Sequence, residues 1–214
     1  RFLIESNTKE TIVVFTNKGN MYQLKGINVP ELKWRERGER IDTLIKGLDL
    51  YDEAIISAFS IEDFALSREI LFFTSNGTIK KTELSKFNSN YSKLLALKLK
   101  ENETLISAEL ISTNREPQFI KVSTMKGLQF TVEEPKISAV DRNINGVSLF
   151  SLPMGDEVSS IEYTEEYEYK EFYVSLSEKG ILRCSNRKNS DPIITITSSN
   201  SELLVFTSKG NVHK

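Results

Sequence analysis

Five times in 214 residues the chain writes Ser or Thr, any residue, Lys or Asn, then Gly, between two runs of strand-forming residues. The copies are Thr16-Asn17-Lys18-Gly19, Thr74-Ser75-Asn76-Gly77, Thr124-Met125-Lys126-Gly127, Ser177-Glu178-Lys179-Gly180 and Thr207-Ser208-Lys209-Gly210. Such a tetrapeptide between apolar segments, as in Ile12-Val13-Val14-Phe15 and Met21-Tyr22-Gln23-Leu24, predicts a β-hairpin whose glycine supplies a positive φ. Five hairpins spread from end to end predict one domain of repeats over residues 1–214 rather than two unrelated domains.

The repeat has a second part. Asp52-Glu53-Ala54-Ile55, Asn102-Glu103-Thr104-Leu105 and Asp156-Glu157-Val158 each open a further strand. Ile55 to Gly77, Leu105 to Gly127 and Val158 to Gly180 are all 22 residues, whereas the connection before each strand varies in length. That reads as one structural unit of fixed size with an exposed connection, its acidic pair marking a polar turn. Hairpin glycines lie 58, 50, 53 and finally 30 residues apart, so the last unit is abbreviated. Ile12 to Phe15 is apolar without alternation, which predicts a strand buried on both faces, as in stacked sheets. Phe2-Leu3-Ile4 reads as a short opening strand. The expected fold is all-β: a propeller-like disc of about five four-stranded blades, in a closed or an open ring, stabilised by stacking of neighbours.

Metal, nucleotide and nucleophile chemistry find little support. Cys184 is the sole cysteine and His213 the sole histidine, so no zinc cluster or internal disulfide can be assembled. The single cysteine fits a reducing cytoplasm. No phosphate-binding glycine motif is present, and no carboxylate is marked out for acid–base work. There is no run of 18 apolar residues and no signal peptide, and the start at Arg1 suggests a piece of a longer chain.

Charge offers more. The formal net charge is −2, which argues against a strongly basic binder. Yet residues 1–100 carry 16 basic and 13 acidic groups, leaving room for a local polyanion-binding face. Lys18, Lys126, Lys179 and Lys209 occupy one position before the turn glycine, where Asn76 stands in the remaining copy. Lys80, Lys81, Arg183, His213 and Lys214 follow the glycine by three or four residues. Lys33, Arg35, Arg37 and Arg40 crowd the first connection around Trp34, and Lys25 and Arg142 complete the set. Hairpin tips expose lysines for solubility alone. The functional reading is a curved row of cations that follows a DNA backbone, since phosphate contacts need positive charge rather than one side-chain geometry.

Phe15-Thr16-Asn17-Lys18-Gly19-Asn20 and its echoes, the opening from Phe2 to Tyr22, and the stretch Pro30 to Ile41 (PELKWRERGERI) resemble a known family. It is the C-terminal domain of the DNA-cleaving subunit of bacterial type IIA topoisomerases, nearest the topoisomerase IV (ParC or GrlA) branch. The resemblance covers nearly the whole chain. It implies a β-pinwheel with strand exchange between blades that binds and bends double-stranded DNA along its rim. Gyrase carries a Q-R-R-G-G-K-G box in its first blade. Arg35-Glu36-Arg37-Gly38-Glu39-Arg40 stands near that place, with two glutamates diluting it, so decatenation or relaxation is implied rather than gyrase-like wrapping. The catalytic tyrosine, ATP and magnesium belong by the same resemblance to the rest of the DNA-cleaving subunit or to the separate ATPase subunit of topoisomerase IV. This chain then needs no cofactor and works in the cytoplasm on the nucleoid, away from membranes.

Two other readings stand beside it. One is a protein-docking propeller that recruits a chromosome-organising partner through the acidic, aromatic segment Glu162 to Glu171. The other is an unrelated propeller with a small-molecule or glycan pocket on its axis.

Overall fold

The computed structural model describes residues 3–33, 35–116, 118–148, 150–164, 171–198, 201 and 203–213. They form two compact units, Arg1–Glu165 and Glu166–Lys214. Almost all regular structure is antiparallel strand, as the repeats require. No helix among the described residues is long and apolar enough to cross a membrane.

Each tetrapeptide closes a hairpin: β1 (Thr11–Thr16) with β2 (Asn20–Lys25), β4 (Arg68–Thr74) with β5 (Thr78–Glu83), and β8 (Phe119–Thr124) with β9 (Gln129–Glu133). In the second unit, β12 (Glu171–Leu176) pairs with β13 (Leu182–Ser185), and β15 (Val205–Phe206) with β16 (Val212–His213). The register is the same every time: Phe15 faces Met21, Phe73 faces Ile79, Ser123 faces Gln129, Leu176 faces Leu182 and Phe206 faces Val212. The turn glycines adopt φ between 75° and 83°, a left-handed conformation that any Cβ would strain.

The constant 22-residue spacing has a different origin from the one expected. β3 (Ile55–Ile61) does not join the hairpin that follows it; it pairs with β1 of the preceding hairpin. β7 (Leu105–Ser112) pairs back to β4 in the same way, and β11 (Val158–Thr164) to β8. In the second unit β14 (Ile193–Ser198) pairs back to β12. The fixed spacing therefore measures the step from one sheet to the next.

A second exchange runs further back. β6 (Lys93–Leu95), which follows the second hairpin, adds to β2 of the first sheet, and β10 (Val147–Ser148) adds to β5 of the second. Among the described strands, sheet order is thus β3-β1-β2-β6, then β10-β5-β4-β7, then β11-β8-β9. Four strands are reached in two sheets only; β13-β12-β14 has three and β15-β16 two.

Burial on both faces of β1 is realised. Val13 and Phe15 enter a core between the first two sheets with Ile70, Phe72 and Phe87. Val14 points the other way, to Tyr22, Leu24, Ile45 and Leu48. β4 divides likewise, with Leu71 and Phe73 in the core facing the third sheet. Leu3 and Ile4 form no strand; Leu3 is fully exposed, and both edges of the first sheet are already taken by β3 and β6. Phe2 lies outside the described residues.

Candidate nucleic-acid interface

The recurring acid is a buried lock rather than a polar turn. Thr16 donates its hydroxyl to Glu53 and Thr74 donates to Glu103 Oε1 at 2.6 Å, while in the third repeat Asp156 Oδ1 accepts the backbone N–H groups of Lys126 at 3.0 Å and Glu157 at 2.9 Å. The same hydroxyl position accepts the backbone N–H beyond the glycine: Thr78 N to Thr74 Oγ1 at 3.0 Å, Leu128 N to Thr124 Oγ1 at 3.1 Å and Asn211 N to Thr207 Oγ1 at 3.2 Å. One Thr thus closes its own turn and ties it to the strand that returns from the next repeat.

Burial alone would raise the Glu53 carboxyl. Hydrogen bonds from Thr16, Asn20 and Tyr22, with the Lys93 charge, outweigh it and hold the group below the usual carboxylate range. Glu103 and Asp156 are held low by the same balance, with burial opposed by Thr hydroxyls, backbone N–H groups and a nearby lysine. These carboxylates are therefore charged and structural: Glu53 and Glu103 accept hydrogen bonds on both oxygens, whereas Asp156 Oδ2 is buried without a partner.

The first connection, residues 26–50, folds over the outer face of the first sheet. Ile41, Leu44, Ile45, Leu48 and Leu50, around the single turn α1 (Ile41–Leu44), cover Val14, Tyr22 and Leu24. The charged residues that precede those apolar anchors face water. Lys25, Lys33, Arg35 and Arg37 are all exposed. Arg40 is exposed but engaged: its Nε and Nη2 fork onto the Asp42 carboxylate at 3.0 and 2.5 Å, and its guanidinium lies 5.5 Å from the Tyr51 ring centroid. The pairing raises the Arg40 pKa and lowers that of Asp42. Trp34 lies outside the described residues.

The other cations are dispersed. Lys18 pairs with Asp52, and the Lys126 ammonium donates to the Met154 carbonyl at 2.8 Å. Lys179 and Lys209 are exposed tips of the second unit. Lys81 is largely buried and pairs with Glu69 at 3.5 Å. Arg142 is half-buried. Lys80 corrects the expectation outright: it is 1 % exposed, opposite Phe72, with its ammonium donating to the Ala96 and Arg142 carbonyls at 3.3 and 2.5 Å. Burial pushes its pKa down to about 8. Lys80 shares the face of Phe72, which packs against the first sheet, and the Ala96 and Arg142 segments close over its ammonium, so its amine cannot meet a phosphate without unpacking them.

Lys18 and Lys25 lie at opposite ends of one hairpin, separated by about 17 Å of strand. The cations thus fall into tip lysines, two of them spent on intramolecular contacts, and a group on the first connection. Of the acidic segment Glu162 to Glu171 considered for protein docking, residues 165–170 lie outside the described residues, while Glu162 to Thr164 end β11 and Glu171 opens β12. Sequence reading missed Lys46, exposed directly after α1, because a lone lysine carries no motif.

Comparison with known proteins agrees with this architecture. The sequence model of the family described as DNA gyrase C-terminal domain, beta-propeller, matches residues 10–61 and 68–112. The chain is 35 % identical over 164 residues to the DNA topoisomerase 4 A subunit of Bacillus subtilis, covering 76 % of this chain and 20 % of that protein. It is 34 % identical over 146 residues to the DNA gyrase A subunit of Helicobacter pylori, covering 67 % of this chain and 17 % of that one. It thus spans about a fifth of the length of the curated relatives it matches. Among solved structures, the C-terminal domain of DNA topoisomerase IV superposes with a TM-score of 0.70 at 24 % identity, over 98 % of this chain and 70 % of that one.

Proposed function

We infer that this chain, which belongs to the C-terminal β-propeller family of DNA gyrase and topoisomerase IV A subunits, is a non-catalytic module that holds and bends duplex DNA. It grips the phosphates largely without reading sequence and presents the duplex to a cleavage core for decatenation or relaxation. That core, in the rest of the DNA-cleaving subunit, and the partner ATPase subunit supply the chemistry, magnesium and ATP included. The setting is the nucleoid, in the cytoplasm.

The observation that carries this reading is the first connection. Apolar residues at 41–50 pin its second half to the sheet, and Lys33, Arg35 and Arg37 stand exposed on the half before it, inside the stretch that the family model matches. Positive charge at the surface is what phosphate binding asks of a protein. Bending a short site costs a few kcal/mol, which several ionic contacts offset.

An electrophoretic mobility titration with linear duplex at two salt concentrations tests it. Charge reversal at Lys33, Arg35 and Arg37 is expected to weaken binding more than reversal at Lys179 and Arg183. Arg40 reversal is expected to do less than Arg37 reversal, because Asp42 already neutralises it. Equal losses everywhere, or salt-independent binding, would refute the assignment.

A further inference from the structure

We propose that a cleft beside the first sheet, between Lys25 and Lys46, is a seat for backbone phosphate of bound nucleic acid. The proposal rests on the DNA-holding role above and assigns a specific part of it to residues outside the arginine-rich stretch. The cleft measures about 590 Å3. Lys25 and Lys46 line it together with Asn28, Asn88, Ser89 and Asn90, and none of the described residues lining it is acidic. The contrast within the same unit is direct: a second cleft, of about 380 Å3, is lined by Glu5, Glu10 and Glu62 against Arg68.

Topology explains why such a cleft exists. One wall is the chain's first connection, where buried Ile45 and Leu48 fix Lys46. The facing wall is the segment that leaves the second hairpin and crosses back to become β6. Gln23 ties that wall down. Its Nε2 donates to the carbonyls of Ser89 and Tyr91 at 2.6 and 2.5 Å, and its backbone N–H donates to the Ser92 carbonyl at 3.0 Å. The Ser92 hydroxyl donates across to the Lys46 carbonyl at 3.4 Å, joining the two walls. Two ammonium groups supply charge, and three amides and a hydroxyl supply short-range donors. A phosphodiester, with one charge and several acceptor oxygens, matches that inventory. A concave wall of protein also focuses the lysines' field on whatever enters.

The test compares Lys25→Gln/Lys46→Gln with the charge-matched control Lys98→Gln/Lys188→Gln, whose lysines are exposed elsewhere. Duplex affinity is read across a salt series, with unfolding midpoints confirming that both variants fold. The cleft variant is expected to lose about tenfold in affinity at moderate salt. Its log–log salt slope should fall by roughly 1 to 2, about 0.9 per phosphate contact released. The control should lose less than threefold, and Lys25→Arg/Lys46→Arg should restore binding. Equal losses in both variants overturn the cleft while leaving the DNA-holding role standing. A parent protein that binds no duplex overturns that role instead. Inorganic phosphate is the remaining arm: tight binding of it at the cleft, with duplex affinity unchanged in the cleft variant, marks a free-anion site and also overturns the proposal.

Discussion

Replacing Glu53 by Ala should unfold the protein far more readily than replacing its neighbour Asp52, although the two stand side by side in one acidic pair. Glu53 accepts hydrogen bonds from Thr16, Asn20 Nδ2 at 3.0 Å and Tyr22 Oη at 2.7 Å, and faces Lys93 Nζ at 3.4 Å. Thr16 and Tyr22 are fully buried, so removing the acceptor strands two hydroxyls. Each stranded donor costs about 1–3 kcal/mol, which puts Glu53→Ala near 4 kcal/mol. Asp52 pairs with Lys18 in open solvent, its side chain 62 % exposed, and an exposed pair contributes about 0–1 kcal/mol. In urea unfolding of the chain the two variants should differ by about 3 kcal/mol. In a thermal melt that is a gap of roughly 10 °C for a protein of this size. Comparable losses for Glu53→Ala and Asp52→Ala would refute the locking role and return the acidic pair to an ordinary surface turn.

Further outcomes follow from the same geometry. Gly19→Ala and Gly127→Ala impose the same positive φ, but a Cβ at Gly19 would lie 2.3 Å from the Leu97 carbonyl oxygen, whereas Gly127 faces open space. Both should be destabilised, Gly19→Ala by at least 2 kcal/mol more in denaturant titration, since a left-handed alanine alone costs about 1–2 kcal/mol. The Lys80 pKa is lowered to about 8 in the fold, and the unfolded value is near 10.4. The unfolded chain therefore binds more protons between these values, and stability should rise with pH from 8 to 10, by up to about 3 kcal/mol from this group. Lys80→Met should flatten that rise when unfolding midpoints are measured across the window; an unchanged slope contradicts the burial argument.

How much of this was legible in the sequence divides along physical lines. The hairpins were, because a tetrapeptide ending in glycine encodes its turn locally and apolar runs encode burial on both faces. The sheet partners were not. β3 lies close in sequence to β4 yet pairs with β1, and only strand exchange makes the 22-residue spacing a crossover. The same nonlocal packing hid the fate of Lys80, which shares the face of Phe72 that packs against the first sheet. Glu53, Glu103 and Asp156 were seen as recurrent, but the partners of Glu53 and Glu103 are hydroxyls 37 and 29 residues away. The arginine-rich stretch was visible as charge. The quenching of Arg40 by Asp42 and Tyr51 needed coordinates, as did the meeting of Lys25 and Lys46 across a cleft.

Lysine acetylation, quantified residue by residue with and without saturating linear duplex, addresses the phosphate-gripping role most directly. Lys25, Lys33 and Lys46 should lose most of their reactivity when DNA is present, Lys80 should stay unreactive throughout because it is buried, and Lys98 and Lys188 should be indifferent. Protection spread evenly over all exposed lysines, or confined to Lys179 and Lys209, would contradict the account.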